Sequence, residues 1–203
     1  EEDEYTAGMA LFLGELCMVP VIATHCRNDS YDPNYTPDLS VAYKQALGRL
    51  IQQHNVRFVI DLHGAALHSE KLDPKQTIDL GFRQNGNGNA PSINIAHIEK
   101  LESLLLDTGF RCDASCFVVG RNKFPGIGKG TVITFAASRN IPATEKNVQA
   151  IQIEMKPQVR IANRFPTATL YKSCGPYHAQ VENVMHMLQS LVHLIDYLKE
   201  NKE

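Results

Sequence analysis

A run of β-branched and apolar residues that stops abruptly at a glycine constrains the fold of this chain more than any other feature. The run extends from Val56 to His63, and Gly64 follows it directly. Val, Ile and Phe favour strands, and a strand that is apolar over almost its whole length must be covered on both faces. The sequence therefore predicts a buried strand that ends on a histidine.

A second run, from Ala150 to Met155, predicts another strand, and its two faces differ in chemistry. Because successive side chains of a strand point to opposite sides, Gln152 and Glu154 share one face and apolar side chains share the other. A carboxylate is costly to bury unless it has a partner or a function, and partial burial of such a group favours general-base chemistry. The alternative is an edge strand whose polar face lies in water.

The remaining segments alternate between helical and extended patterns. Helices are predicted behind a cap at Thr6, from Pro37 to about His54, from a cap at Ser92 to about Asp107, and along an apolar stripe from Val181 to Leu198. Further strands are predicted at residues 18–24, 77–82, 116–119 and 131–136. This alternation predicts a single α/β domain over residues 1–203, with three layers, a mostly parallel or mixed central sheet, and helices on both faces.

Composition excludes several classes of function. Twenty lysines and arginines against 22 acidic residues give a formal charge of −2, without the basic surplus of a nucleic-acid-binding protein. No stretch approaches the roughly 18 consecutive apolar residues of a membrane span. Five scattered cysteines, an odd number, do not form the disulfide framework of a secreted protein. We therefore predict a cytoplasmic protein with no nucleic-acid partner and no membrane partner.

The strand that ends on His63 also points to a site. Ligands of α/β proteins bind beyond the carboxyl ends of strands, and Asp61 lies on the same strand face as His63. A neutral imidazole is a common metal ligand. A histidine that only bonds a backbone carbonyl at a strand end would instead have a structural role. The pattern by itself leaves both interpretations open.

Five short segments, taken in order, carry a resemblance to a known family. The chain resembles the N-formylglutamate amidohydrolase family, which is related to the zinc carboxypeptidases and to the poly-γ-glutamate hydrolases. Each segment is weakly specific alone, and the specificity lies in their order along roughly the first 155 residues. The segments are Asp3–Thr6, Arg27–Tyr35, Val59–Gly64, Asn122–Ile133 and Ala150–Glu154.

This resemblance implies a zinc-dependent hydrolase that cleaves an amide bond on a zinc carboxypeptidase-like fold. It implies that His63 is a zinc ligand and that Glu154 is the general base. In such a site the zinc activates a water molecule and the carboxylate removes the proton of that water. Asp61 is then either a partner of a ligand or a cap of the neighbouring backbone.

The acidic start of the chain is where the resemblance implies the next ligand. Asp3 best matches the acidic zinc ligand of the family, with Glu2 and Glu4 as close competitors. The family's first histidine ligand has no counterpart, so we expect a short metal-binding segment in front of Glu1. His25 follows a predicted strand and is interpreted as a bystander, with a substitute zinc ligand as the alternative.

The first polar loop departs from the family. Many members have an arginine after an Asp-x-Asn motif, whereas Asp32-Pro33-Asn34 is followed here by Tyr35. Either Arg27 takes the place of that arginine or the substrate lacks the carboxylate that it would bind. Arg27 and Asn34 are the predicted substrate-binding residues, for a small N-acyl amino acid or a peptide-like substrate. The alternative function is a non-catalytic small-molecule binding or interaction module on the same fold.

The segment from Phe124 to Thr131 resembles the phosphate loop of nucleoside monophosphate kinases. That loop needs a glycine five residues before Gly128, and this chain has Lys123 there. It must also open a helix, whereas residues 132–135 are β-branched or aromatic and predict a strand. We therefore set nucleotide binding aside and expect the glycines to let the backbone approach the active site.

Overall fold

A computed structural model of the chain describes residues 5–24, 33–34, 41–67, 69–83, 90–107, 116–144, 146–164, 177–178 and 180–201. The helices of these ranges are α1 (Thr6–Cys17), α2 (Ala42–His54), α3 (Ile95–Leu106), α4 (Val132–Ala137), α5 (Pro157–Arg160) and α6 (Val181–Glu200). The strands are β1 (Phe58–Gly64), β2 (Ile78–Gly81), β3 (Val119–Arg121), β4 (Gln149–Met155), β5 (Asn163–Arg164) and β6 (Tyr177–His178). Among the described helices, none combines the length and the apolar character needed to cross a bilayer.

The sheet is mixed, with four strands in the order β1-β4-β2-β3. β1 runs parallel to β4, and β2 runs parallel to β3, whereas β4 and β2 are antiparallel. β5 and β6 form a separate antiparallel pair. The general α/β class predicted from the sequence is therefore confirmed, and likeness to the zinc carboxypeptidases stays a prediction.

Helices cover both faces of this sheet, because its strands direct apolar side chains to both sides. On one face, Ile151, Ile153 and Met155 join a core with α1, α3 and α6. On the other face, Val59 and Ala150 join a second core with α2 and α4. The described residues thus form helix, sheet and helix layers, which is the arrangement that buries a sheet with two apolar faces.

β4 lies between β1 and β2, and this position overturns the edge-strand interpretation of its polar residues. Gln152 and Glu154 are each 7% exposed, so the polar face of β4 is buried. β1 and β4, the two strands predicted most directly from the sequence, are both present. β1 begins at Phe58, two residues after its predicted start. The polar side chains of β4 therefore lie inside the protein and need partners there.

Several predicted helix starts are wrong. α1 has Tyr5 at its N-cap position, in the left-handed conformation, so Thr6 is not the cap. α2 begins at Ala42 after an extended Val41. The predicted start at Pro37 lies outside the described residues. Caps and prolines mark a probable helix start, but the first hydrogen-bonded turn depends on where the helix docks.

The start of α3 is also different. Asn94 is its N-cap, and its side-chain oxygen accepts a hydrogen bond from a backbone N–H of the first turn. Ser92, the predicted cap, donates its hydroxyl instead to the carbonyl oxygen of Ala150, at 2.7 Å. Ser92 therefore connects the segment before α3 to β4.

The strand predicted at residues 131–136 is a helix. Thr131 caps α4 by accepting a hydrogen bond from the backbone N–H of Thr134. Val132 and Ile133 are almost completely buried in this helix, so their burial overrides their preference for strands. The strand predicted at residues 18–24 is also absent, and the predicted strand at 116–119 begins only at Val119.

α6 buries a face that is rotated from the predicted stripe. Val181 and Met185 are about half exposed, whereas Met187 and Leu194 are buried. His186 is buried too, and its Nε2 lies 2.9 Å from the carbonyl oxygen of Leu105 in α3. Contact with α3 thus selects the buried face.

We expect Ile153→Ala to lower the free energy of unfolding by about 2–5 kcal/mol, because the side chain is fully buried in β4 and its loss leaves a cavity. The matched control is Leu16→Ala in α1, where the side chain is 57% exposed and the expected change is within about 0.5 kcal/mol. Urea denaturation of both variants measures the difference. Equal effects would contradict the assigned core.

Candidate functional site

The register of β1 and β4 brings the predicted site residues together. Asp61 is paired with Gln152, and His63 is paired with Glu154, in a parallel ladder. Paired positions of neighbouring strands direct their side chains to the same face of a sheet. The four polar side chains therefore share one face, close to the carboxyl ends of both strands, where α/β proteins bind ligands.

His63 contacts two other polar side chains. Its Nε2 lies 3.0 Å from Oδ2 of Asp61 and 3.3 Å from Nδ2 of Asn34. A protonated Nε2 donates to Asp61, whereas an unprotonated Nε2 accepts from Asn34, so the tautomer decides which contact is the hydrogen bond. The side chain is 15% exposed, which leaves it accessible from one side. Asp61 is thus a partner of the predicted ligand.

Asn34, a predicted substrate-binding residue, also contacts the start of α4. Its Oδ1 accepts a hydrogen bond from the backbone N–H of Val132, at 3.2 Å. Asn34 therefore connects His63 of β1 to α4. Its role in binding substrate stays a prediction.

Glu154 is buried and accepts a hydrogen bond from its neighbour on the same strand face. Nε2 of Gln152 donates to Oε1 of Glu154 at 2.6 Å. Hydrogen bonds to an ionised carboxylate are stronger than those between neutral groups. Gln152 therefore holds the carboxylate of Glu154 in a defined orientation.

Asp79 on β2 belongs to the same polar face, and our sequence analysis missed it. It is the antiparallel register partner of Glu154 and is completely buried. Its Oδ1 accepts from Nε2 of Gln76 at 3.0 Å, and its Oδ2 accepts from the backbone N–H of Phe124 at 2.8 Å. The sequence does mark Asp79, because it is an acid between two apolar residues of a predicted strand. Glu154 was singled out by the same pattern.

The glycine-bearing segment, which runs from Phe124 to Thr131, lies against this polar face. A Cβ built on Gly81 of β2 would overlap the carbonyl oxygen of Phe124. Gly126 has a φ of +60°, and a Cβ there would overlap Ile133 and lie 3.2 Å from Oε1 of Gln152. Gly126 therefore lets this segment lie close to the polar face, and Gly81 of β2 lets the strand lie close to Phe124; that this face is an active site stays a prediction.

A buried lysine holds the end of the same segment. Lys44 of α2 is fully buried, and its Nζ donates to the carbonyl oxygen of Gly130 at 2.5 Å. The segment leads into the helix α4, whereas the sequence predicted a strand there. The predicted strand was one of our two reasons for setting nucleotide binding aside, and that reason is wrong. However, α4 has only six residues, and Lys123 still stands where the phosphate loop needs glycine.

Tyr43 lines the same cleft as His63 and Glu154. Burial raises the pKa of the Tyr43 hydroxyl above its ordinary value, and the nearby Asp61 carboxylate raises it further. The phenol is therefore neutral at physiological pH, and it adds no charge to a cleft that already holds carboxylates.

The other predicted ligands and substrate-binding residues lie outside the described residues. They are Glu2, Asp3, Glu4, His25 and Arg27. His63 and the carboxylates near it are nitrogen and oxygen donors of the kind that zinc takes. Within the described ranges, no group of three or more His, Cys, Asp and Glu side chains is arranged to hold a metal ion.

Comparison with known proteins identifies no relative. The chain matches no family model, no curated protein and no solved structure.

We expect Asp79→Asn to lower the free energy of unfolding by about 1–3 kcal/mol, because a carboxamide has one oxygen for the two donors that Asp79 accepts. Urea denaturation measures the loss, and amide exchange of Phe124 is expected to become at least about tenfold faster. The control is Asp73→Asn, an exposed residue that also accepts a backbone N–H. An unchanged Phe124 exchange rate would show that Asp79 does not hold this segment.

Proposed function

We propose that the protein is a zinc-dependent hydrolase of amide bonds, with a zinc carboxypeptidase-like fold, in which Glu154 is the general base and His63 is a zinc ligand. The observation that supports the proposal is the buried carboxylate of Glu154 in direct register with His63 at the ends of two parallel strands. A carboxylate buried next to an imidazole on a cleft is typical of a catalytic site.

His63 and the carboxylate of Asp3 are the proposed zinc ligands. Zinc bound there would polarise the amide carbonyl and lower the pKa of a water molecule. Asp61 orients the imidazole of His63, as carboxylate partners of metal-binding histidines do in general. This orienting role requires that the metal and Asp61 use different nitrogens of the ring, or that the present contact at Nε2 gives way when metal binds.

Glu154 carries the proton transfers. Its carboxylate accepts a proton from the water whose oxygen attacks the amide carbon. The same carboxyl group then donates that proton to the leaving nitrogen as the C–N bond breaks, so it ends the cycle ionised. Gln152 keeps the carboxylate in position through its hydrogen bond to Oε1.

The proposed substrate is a small N-acyl amino acid or a peptide-like amide, and the proposed compartment is the cytoplasm. A second candidate function is a non-catalytic binding module on the same fold. It is favoured by Tyr35, which stands where many members of the resembling family have a substrate-binding arginine.

We expect the full-length protein to bind zinc and to hydrolyse at least one member of a panel of N-acyl amino acids and γ-glutamyl peptides, with loss of turnover after chelation. Glu154→Gln should lower kcat by about 10²–10⁴-fold and keep the zinc, because general-base catalysis contributes a factor of this size. His63→Ala should lose the zinc. Metal analysis and steady-state kinetics measure these effects.

Glu182→Gln is the control for this experiment, because Glu182 is exposed in the first turn of α6. Undiminished turnover in Glu154→Gln would remove the proposed base. Zinc retained in His63→Ala would remove the proposed ligand, and a protein that binds the panel without turnover would favour the second candidate.

A further inference from the structure

A second cavity lies apart from the cleft of His63 and Glu154, and no described residue lines both spaces. Its volume of about 430 Å³ is within the range of small-molecule sites. Gln149, where β4 begins, lines this cavity, whereas Glu154 lies near the end of the same strand. At about 3.3 Å per residue, the strand separates these two positions by about 16 Å. We call this space the Arg83 cavity; its described lining is Arg83, residues 90–94, Ala137 and residues 147–149.

Arg83 is the one charged residue among the described residues that line the Arg83 cavity. Its Nε is buried and has no hydrogen-bond partner, and no carboxylate of the described residues forms an ion pair with its guanidinium. The chain between Arg83 and Ala90 contains only Gln, Asn and Gly, so it supplies no carboxylate either. A buried donor without a protein partner normally binds a water molecule or an ion.

The backbone of Arg83 is fixed in a conformation that favours glycine. Arg83 has a φ of +63°, in the left-handed region. Its N–H donates to the carbonyl oxygen of Pro125 at 2.8 Å, and the carbonyl oxygen of Phe82 accepts from the N–H of Ser92 at 2.9 Å. Strained residues of this kind concentrate at sites that clamp ligands. These two hydrogen bonds give the side chain of Arg83 a fixed origin at the wall of the cavity.

α3 begins at the same cavity and adds a field that favours an anion. Asn94, the N-cap of α3, lines the cavity, and the helix has 12 residues. The N-terminus of a helix carries a partial positive charge, because the first backbone N–H groups have no partner within the helix. Arg83 and the start of α3 therefore place positive charge at one cavity, and none of its described lining residues is acidic.

We propose that the Arg83 cavity binds the carboxylate group of a small organic monoanion. One guanidinium balances one negative charge and binds both oxygens of a carboxylate through parallel hydrogen bonds. A phosphate dianion would need a second cation, and the described lining residues supply only Arg83. Pro91 and Ala137 provide apolar wall for the organic part of the ligand. This inference does not rest on the proposed hydrolysis.

The probes are benzoate and hexanoate, which carry the same carboxylate on an aromatic and an aliphatic body. We expect saturable binding of at least one of them, with a Kd of about 1 mM, as is usual for ligands of this size. Benzamide, the neutral control for benzoate, should bind at least about tenfold more weakly because it lacks the charge that Arg83 balances. Nitrogen–proton correlation spectra measure the affinities, and the signals of Asn94, Gln149 and the Arg83 Nε–H group are expected to shift.

Arg83→Gln is expected to weaken carboxylate binding at least about tenfold, because hydrogen bonds to a charged group are lost. Arg139→Gln is the matched control. The Nε of Arg139 is also buried without a partner, but its Cζ lies 4.4 Å from the ring centroid of Phe135 and the residue does not line the cavity. The carboxylate affinity of this control is expected to be unchanged.

A second pair of variants makes the test independent of the folding of Arg83→Gln. Asn147 and Asn140 are both exposed and are paired in an isolated β-bridge, but of these two only Asn147 lines the cavity. Asn147→Asp adds a negative charge at the cavity, so it is expected to weaken benzoate binding at least about threefold. Asn140→Asp is expected to leave the affinity unchanged.

Any of five results would overturn the proposal. These are no saturable binding of either carboxylate, equal affinities for benzoate and benzamide, binding that Arg83→Gln leaves unchanged, equal affinities in Asn147→Asp and Asn140→Asp, and shifts at His63 and Glu154 with none at the cavity. Tighter binding of phenylphosphonate than of benzoate would likewise exclude a monocarboxylate as the class of ligand.

Discussion

The parallel, in-register pairing of β1 with β4 is the constraint on which the described structure depends. A shift of one residue would turn every side chain of β4 to the other face. Glu154 would then enter the apolar core, and Ile153 would face the polar cleft. The alternation of apolar and polar residues along β4 therefore excludes registers that are shifted by an odd number of residues.

Burial of the polar face is made possible by partners from several elements. Asp79 and Lys44 bind backbone groups of the glycine-bearing segment, and Asn34 connects His63 to α4. Each of these contacts satisfies a polar group that would otherwise be costly to bury. Their combined effect is to hold a backbone segment in the wall of the cleft that His63 and Glu154 also line.

The features that were predictable from the sequence are those that depend on residues close together along the chain. β1, β4 and the shared face of Gln152 and Glu154 were predictable because alternation and strand ends are local patterns. The helix at Val132 was not, since burial against α2 and the sheet overrides the strand preference of its residues. The burial of Asp79 was indicated by an acid between two apolar residues of a predicted strand, but its position beside Glu154 was not, because that position arises from antiparallel pairing between β2 and β4.

The register of β1 and β4 is tested most directly by measuring scalar couplings across backbone hydrogen bonds by nuclear magnetic resonance. We expect a coupling between the amide nitrogen of Ala65 and the carbonyl carbon of Met155. We expect a second coupling between the amide nitrogen of Gln149 and the carbonyl carbon of Arg57. These two couplings define the register that places His63 beside Glu154. Couplings to residues one position away, or to another strand, would contradict it and would separate the two proposed site residues.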